Sequence, residues 1–421
     1  MQTTGVLEEL HWRGLVSQHT DGVPALLAGP PASAYIGFDP TGSSLHVGSL
    51  VVIMILVHLQ RHGHRPVALV GGGTGMIGDP SGKVNERQLL SDAQVAANAA
   101  GIRAQLERFL AFDGPSAARM RNNADWLNTL PLVEFLRDTG KHFTVNYMLQ
   151  KDSVKSRMDA GISFTEFSYM LLQAYDFLEL RRRDGVTLQL GGTEQWGNIT
   201  AGIELIRRVD GAEAHGLTVP LLMTSSGTKF GKTEAGAVWL DAARTSPYAF
   251  YQYWFNRADD EVPRLLKLFS LRPLSEIESV LADHDQDRGK RVGQRELARA
   301  LTGWVHGDAA IASVEAASRV MFGGSLDGVT DEVLQQLAGT VPTVDIPRSE
   351  FEAGITLIDL LARTVCKSKG DAKRLIQQGG ANVNNLKVTD LEHKVTISDL
   401  VTPTMLVVRS GKKDYCLVRV T

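Results

Sequence analysis

Three groups of side chains in this chain have the types and spacing for binding chemistry. The first lies in residues 35–50, YIGFDPTGSSLHVGSL. His46 can donate a hydrogen bond to a phosphate oxygen, and Gly48 lets a flat ligand approach the backbone. The second is Lys229-Phe230-Gly231-Lys232-Thr233. Two ammonium groups three residues apart on a glycine loop suit a phosphate chain that gains negative charge. The third is Tyr169, Gln173 and Asp176, which fall at i, i+4 and i+7 and share one helix face. Each has a plainer reading: a histidine at a loop–helix junction, a solvated basic loop, the wet side of a helix. The third group favours a pocket, because wet faces carry Lys and Glu rather than side chains with directional hydrogen bonds.

These groups need elements to hold them. A strand over 34–38 runs into the Pro/Gly turn at 39–42, Ser43 and Ser44 offer caps, and 45–59 reads as a helix. The first turn of such a helix carries free N–H groups and the positive dipole end, which suit an anion. A second strand, 65–70, leads into GGGTGMIGDPSGK. Gly73-x-Gly75-x-x-Gly78 formally matches the dinucleotide fingerprint, but Pro80 and Gly82 would break the helix that must follow. The phosphate-loop pattern fails as well, since Gly78 to Gly82 is one residue too short and Val84 stands where Ser or Thr is needed. What remains is a glycine loop carrying Asp79, Lys83 and Arg87. The later Gly231-Lys232-Thr233 is not a phosphate loop either, because Ser226 replaces the required glycine.

Helices are expected over 6–19, 91–112, 130–137, 164–181 (capped by Thr165) and 199–208, with a strand end at 125–126. Further strands are expected at 186–190 and 217–222. Residues 191–198 follow the first of these, so Glu194 and Gln195 occupy a strand's carboxyl end, where open parallel sheets bind ligands. The alternation predicts an α/β fold with a Rossmann-like parallel sheet. From 248 to 341 the pattern is helical, and 342–347 (PTVDIP) reads as a linker. The tail has a helix before Cys366, a second from Ser368 to 378, a hairpin about Asn384-Asn385, and two strands around 411–413. The expected domains are 1–247 (catalytic), 248–347 (helical, with linker) and 348–421 (small α+β module).

At 421 residues the chain is too long for one ordinary core. The net charge of −3 is no signature of a nucleic-acid binder. The charge is uneven, however: residues 354–421 hold 11 Lys/Arg and 6 Asp/Glu, a surplus of +5 that leaves −8 elsewhere. A basic end on an acidic body is expected where one end meets a polyanion. Two cysteines, Cys366 and Cys416, make no disulfide framework and no CxxC metal spacing. Glu8 and Glu9 stand where a signal core would be apolar, and the longest apolar run, 50–59, is too short to span a bilayer. No membrane association and a cytoplasmic location are expected.

LHVGS at 45–49, SYMLLQAYDF at 168–177 and KFGKT at 229–233 together resemble the class I aminoacyl-tRNA synthetases, and among them the bacterial-type tyrosyl-tRNA synthetases. FDPTGSSLHVG, GDPSGK, FTEFSYMLLQAYDF, QWGNITAG and TKFGKT match that family in order and spacing, so the likeness covers essentially the whole chain. It implies activation of tyrosine by ATP and transfer to the end of a tRNA. The family's first signature, His-Ile-Gly-His, corresponds to His46-Val47-Gly48-Ser49, with serine in place of the second histidine. Its second, Lys-Met-Ser-Lys-Ser, corresponds to residues 229–233.

By this likeness Thr41 and His46 hold the triphosphate, and Gly37, Asp39, Gly48, Ser49, Gly192 and Glu194 complete the ATP site. Lys83, Arg87, Lys229 and Lys232 stabilise the departing pyrophosphate. Tyr35 and Asp176 read the phenolic hydroxyl. Asp79, Tyr169 and Gln173 hold the ammonium, with Asn123 and Gln195 nearby. Mg2+ accompanies ATP without a dedicated protein site. A homodimer is implied, with Lys151, Arg207 and Arg208 against the tRNA acceptor stem. The tail resembles a small RNA-binding module first seen in a small-subunit ribosomal protein, so Lys367, Lys369, Lys373, Arg374, Lys412 and Lys413 would meet phosphates rather than bases. Three alternatives stand beside this reading: a tryptophan-activating relative, an RNA-binding protein with an inactive synthetase body, and a dehydrogenase resting on residues 73–78.

Overall fold

The computed structural model describes residues 5–81, 90–159, 161–223, 230–233, 236–321, 323–338, 340–411 and 414–421, with Lys232 and Thr233 described for their backbone alone. Contacts divide the chain into two units, Met1–Asp241 with Arg257–Leu297, and Ala242–Asn256 with Ala298–Thr421.

Apolar runs build the centre of the first unit. SAYIGF and RPVALV are buried almost throughout, as parallel strands covered on both faces require. The sheet holds β1 (Gln18–His19), β2 (Ser33–Phe38), β3 (Arg65–Val70), β4 (Arg119–Asn122), β5 (Val186–Gly192) and β6 (His215–Val219), in the order β1-β6-β5-β2-β3-β4. All neighbours are parallel except β1 on β6. From β2 the chain winds outward through β3 to β4, then returns to the far side of β2 for β5 and β6. The order reverses between β2 and β5, and such a reversal opens a crevice at the strands' carboxyl ends, here Phe38 and Gly192. The parallel sheet expected from the strand–helix alternation is therefore present.

Several boundaries differ from expectation, each for a local reason. The first helix, α1 (Val6–Arg13), stops at Gly14, whose φ of 75° ends it, and residues 18–19 become the edge strand. The helix expected from 45 begins as a short 3-10 turn, and α2 (Leu50–Arg61) starts only at Leu50. Residues 45–47 cannot join it, because Leu45 O and Val47 N bond the backbone of Leu240 and Val238. Neither Ser43 nor Ser44 caps it; His46 caps the 3-10 turn, and α2 follows Ser49 with no side-chain cap. α3 (Asp92–Leu106) opens with a Ser91/Gln94 capping box. Residues 124–127 form a helical turn rather than a strand end. The cap of α4 (Phe164–Asp184) is Ser163, not Thr165: its Oγ accepts from Glu166 N at 3.2 Å. β6 ends at Val219 because Pro220 has no N–H to continue the ladder.

α4 and α5 (Trp196–Asp210) lie along one another and against β5. The segment 257–297 joins this unit through Arg13. That guanidinium is 1% exposed and donates to the carbonyls of Lys267, Ser270 and Arg272 at 3.0, 2.6 and 3.1 Å. It thereby satisfies carbonyls around the C-terminal end of the helix Val262–Phe269.

The second unit contains the helices Pro247–Phe255 and Asp308–Met321 and a five-stranded sheet. The stretch read as a linker is a strand, β7 (Thr343–Ile346). It is followed by β8 (Ala381–Val383), β9 (Leu386–Lys387), β10 (Met405–Ser410) and β11 (Asp414–Val420), in the order β9-β8-β10-β11-β7. β7 runs parallel to β11. Its short alternating sequence carried too little signal without that partner. The Asn384-Asn385 turn has φ of 51° and 61°, the left-handed pair that closes a two-residue hairpin. Ser368 caps the helix Lys369–Gln377 as expected.

Candidate active site

The crevice between β2 and β5 is a cavity of about 390 Å³ within the first unit. Tyr35, Gly37, Asp39, Thr41, His46, Ser49, Asp79, Asn123, Tyr169, Gln173, Asp176, Gly192, Glu194 and Gln195 all line it. Residues spread over 160 positions of sequence meet because five separate segments end at the sheet's switch point. Gly48 is absent from the lining but its N–H donates to His46 Nδ1. Lys83, Arg87 and Lys229 lie outside the described residues, as does the Lys232 side chain.

One end of the cavity is dry. Tyr35 is 1% and Asp176 2% exposed. The Tyr35 ring packs on Phe177 with centroids 5.3 Å apart, and its hydroxyl is buried without a hydrogen-bond partner among the described residues. Burial, and then the nearby Asp176 charge, push the Tyr35 phenol well above its ordinary range. Asp176 accepts from Trp126 Nε1 at 2.7 Å and Asn123 Nδ2 at 2.9 Å. Burial raises its carboxyl to about 7 although both donors oppose the shift. A buried hydroxyl and a buried carboxyl facing one small space can receive a ligand hydroxyl, which gives the Tyr35 hydroxyl the partner it lacks and Asp176 a third donor.

The middle of the cavity is an amide and carboxylate network. Gln195 donates to Asp79 at 2.7 Å, Gln173 to Gln195 at 3.2 Å, and Asn198 to Gln173 at 2.9 Å. Tyr169 donates to Asp39 Oδ2 at 3.0 Å, and Thr74 donates to Asp39 Oδ1 at 2.9 Å. The Asp39 carboxylate thus orients Tyr169, leaving the phenolic lone pairs as acceptors. With Asp79 beside them, these acceptors suit a cationic group.

The other end joins the two signature stretches. Val47 N bonds Val238 O at 2.9 Å, Leu240 N bonds Leu45 O at 2.9 Å, and Val238 N bonds Gly231 O at 3.0 Å. Asp241 N bonds Ser44 Oγ at 3.2 Å. Phe230 stacks on Phe269 at 6.3 Å, which seats the glycine turn against the helix Val262–Phe269. The Gly48 N–H lies 3.0 Å from His46 Nδ1, so Nδ1 is the acceptor and the proton of a neutral ring sits on Nε2. His46 is thereby set up as a donor to an anion in the cavity. Gly192 makes room for the Glu194 carboxylate, which a β-carbon there would meet at 2.4 Å.

Lys151 and Arg208 stand apart from this cavity. They line a second one, of about 740 Å³, with Tyr147, Trp196 and Glu204. Lys151 Nζ lies 4.1 Å from the Tyr147 ring centroid, and Arg207 and Arg208 both bond Glu204. Lys369, Lys373 and Arg374 are exposed on a helix of the second unit, and Lys412 and Lys413 lie outside the described residues. Sequence reasoning missed Trp126, Asn198, Thr74 and Trp239. Trp126 and Asn198 each lie three residues after a predicted site residue, on the helical turns that Asn123 and Gln195 begin. That spacing was the available signal.

The family described as "tRNA synthetases class I (W and Y)" matches residues 28–323, and that described as "Tyrosine--tRNA ligase SYY-like C-terminal domain" matches residues 333–418. A tyrosine–tRNA ligase of Anaeromyxobacter dehalogenans is 53% identical over 99% of both chains. One of Roseiflexus castenholzii is 50% identical, again over 99% of both. Among solved structures, a C-terminally truncated mitochondrial tyrosyl-tRNA synthetase of Aspergillus nidulans superposes with a TM-score of 0.70 at 30% identity, covering 76% of this chain and 95% of that one.

Proposed function

The chain belongs to the class I tRNA synthetases of the W and Y type, and on that footing we propose that it activates tyrosine with ATP and transfers it to the 3′ end of its cognate tRNA. The observation that carries the choice of amino acid is the dry pairing of Tyr35 and Asp176 at the cavity end. Phenylalanine would leave the Tyr35 hydroxyl without a partner and give the buried Asp176 carboxylate no donor beyond Trp126 and Asn123, and an indole has no hydroxyl to place between them.

The reaction needs no enzyme nucleophile. A tyrosine carboxylate oxygen attacks the α-phosphorus of ATP, the bond to the β-phosphate oxygen breaks, and pyrophosphate leaves. A ribose hydroxyl of the tRNA then attacks the activated carbonyl, AMP departs, and the hydroxyl proton is released. The protein holds the reactants in line and stabilises charge that grows in the transition state. Tyr35 and Asp176 take the phenolic hydroxyl. Asp79, Tyr169 and Gln173 take the ammonium, with Asn123 and Gln195 supporting them. Thr41 and His46 bind the triphosphate, next to Gly37, Asp39, Gly48, Ser49, Gly192 and Glu194. Lys83, Arg87, Lys229 and Lys232 act on the leaving pyrophosphate. Ser49 can give a neutral contact only, where the family signature has a second histidine. Mg2+ arrives on the nucleotide's phosphates.

The division of labour follows the expected domains: adenylate formation by 1–247, anticodon-side contact by 248–347, and phosphate contacts from 348–421. Lys151, Arg207 and Arg208 flank the path of the acceptor stem. The chain acts as a homodimer in the cytoplasm. Support for the dimer comes from apolar side chains that the single chain leaves open to water, Leu132 at 70%, Val133 at 73% and Phe164 at 78% exposure. Light scattering should then return twice the 45.8 kDa chain mass.

The deciding experiment is pyrophosphate exchange with ATP. Exchange that depends on tyrosine and is negligible with phenylalanine or tryptophan is the expected result. Exchange driven by tryptophan, or none with any amino acid, rejects the reading.

A further inference from the structure

Among the cavity-lining residues, Trp239 belongs to neither signature and has no role in the reading above. Its backbone forms an antiparallel bridge with His46, held on either side by the Val47–Val238 and Leu45–Leu240 bonds. That pairing fixes where both side chains emerge. The two rings meet edge to face, 6.2 Å between centroids and 70° between planes. The imidazole is restrained elsewhere by the Gly48 N–H on Nδ1, and the backbone of residue 48 passes so close that a β-carbon there would stand 2.7 Å from His46 Cε1. That hydrogen bond settles which nitrogen accepts, and the indole against the imidazole limits how far the ring can turn.

We propose that Trp239 is a positioning residue: it braces the His46 ring so that Nε2–H faces the phosphate end of the cavity. This rests on the proposed adenylate-forming reaction and adds to it a part that neither signature contains. A donor helps only when it already points at the place where charge develops. A shift of about 1 Å in such a group can cost roughly a hundredfold in rate. Trp239 directly follows Val238, whose N–H bonds Gly231 O, so the brace carries the position of the second signature to the histidine of the first.

The test is a double-mutant cycle in tyrosine-dependent pyrophosphate exchange. Trp239→Leu should lower kcat roughly ten- to a hundredfold, leaving the tyrosine dissociation constant within about twofold. Trp239→Phe, which keeps an aromatic edge, should restore most of the rate. In a His46→Ala background the Trp239→Leu change should cost less than about twofold, because nothing is left to brace. Equal losses in both backgrounds overturn the proposal, as does a Trp239→Phe variant no better than Trp239→Leu. A readout without turnover separates this from the wider reading. In histidine ring relaxation spectra, the imidazole signal lost in His46→Ala should report a more mobile ring in Trp239→Leu than in the parent, with the Nε2–H tautomer set by the Gly48 N–H kept in both. Unchanged ring mobility overturns the proposal even if the protein proves to activate a different amino acid.

Discussion

Gly231 approaches Gly48 so closely that a β-carbon on Gly231 would lie 3.0 Å from the Gly48 nitrogen and 2.8 Å from Val47 Cγ2. The glycines of the two signatures, 183 positions apart, thus form one contact. Gly231 also has a φ of 85°, a conformation that an L side chain adopts at a cost.

Gly231→Ala should therefore act on the reaction more than on the fold. The added methyl strains the turn by about 1–2 kcal/mol and pushes the signatures apart. Exchange should slow at least about tenfold while tyrosine affinity, set at the far end of the cavity, holds. Equilibrium dialysis with tyrosine beside exchange kinetics checks this. A loss of tyrosine affinity equal to the loss of rate would contradict it.

Tyrosine binding should depend on pH through Asp176. Burial lifts its carboxyl to about 7, so the protonated form gains population as pH falls below that value. The ionised form is the better acceptor for a phenolic hydroxyl, and binding to it competes with a proton. Affinity should thus be about tenfold weaker at pH 6 than at pH 8. In Asp176→Asn the dependence should vanish along with most of the affinity. A parent whose affinity is flat across this range would refute the assignment.

Trp126→Phe removes one of the two donors on the Asp176 carboxylate without emptying the space. The lost bond to a charged, buried acceptor is worth about 1–3 kcal/mol. Tyrosine affinity should fall by roughly 5- to 100-fold, and the pH midpoint of binding should move upward, because a donor that favoured the carboxylate is gone. Titration calorimetry at several pH values reads both.

Acid stability should be governed by the cluster where α1 meets α2. His58 is fully buried, and burial, helped by the Arg13 charge, lowers its imidazole to about 3 from 6.5. Burial alone would raise the Glu9 carboxyl, but hydrogen bonds from His62 and Arg13 outweigh it and bring it to about 2 from 4.5. Both folded values are depressed. The stability they contribute is complete above 6.5 for His58 and above 4.5 for Glu9, and it is lost as pH falls toward the folded values. Melting temperature should decline from about pH 6.5 downward. His58→Leu should remove the decline between 6.5 and 4.5 and leave the steeper loss below. A variant that melts with the parent's pH profile would place the titration elsewhere.

Charge reversal of Lys369 and Lys373 separates the two half-reactions. Both are exposed on the helix Lys369–Gln377, and Lys369 is held by Asp359 at 2.5 Å. Lys369→Glu with Lys373→Glu should weaken tRNA charging and reduce its salt dependence, since phosphate contacts release fewer counterions. Tyrosine-dependent exchange should stay at the parent level. Unchanged charging would take these residues out of the tRNA path.

The sequence alone determined what travels as a contiguous string. LHVGS, the polar stripe Tyr169–Gln173–Asp176 and KFGKT each carry their geometry locally, in a turn or on one helix face, so their chemistry could be read before any fold was known. Strand and helix order was legible for the same reason, since β2 and β3 are continuous apolar runs. Other site residues, Tyr35, Thr41 and Asn123 among them, stayed tied to the family likeness until the sheet brought their segments together. The tertiary structure decided the rest. Only the reversal between β2 and β5 explains why the segments ending at Phe38 and Gly192 share a cavity. Only packing shows that Trp126 holds Asp176, that Trp239 meets His46, that Arg13 claims carbonyls some 250 positions away, and that residues 343–346 are a strand. Each of these contacts depends on a partner distant in the chain, and periodicity and propensity report only on neighbours within a few residues.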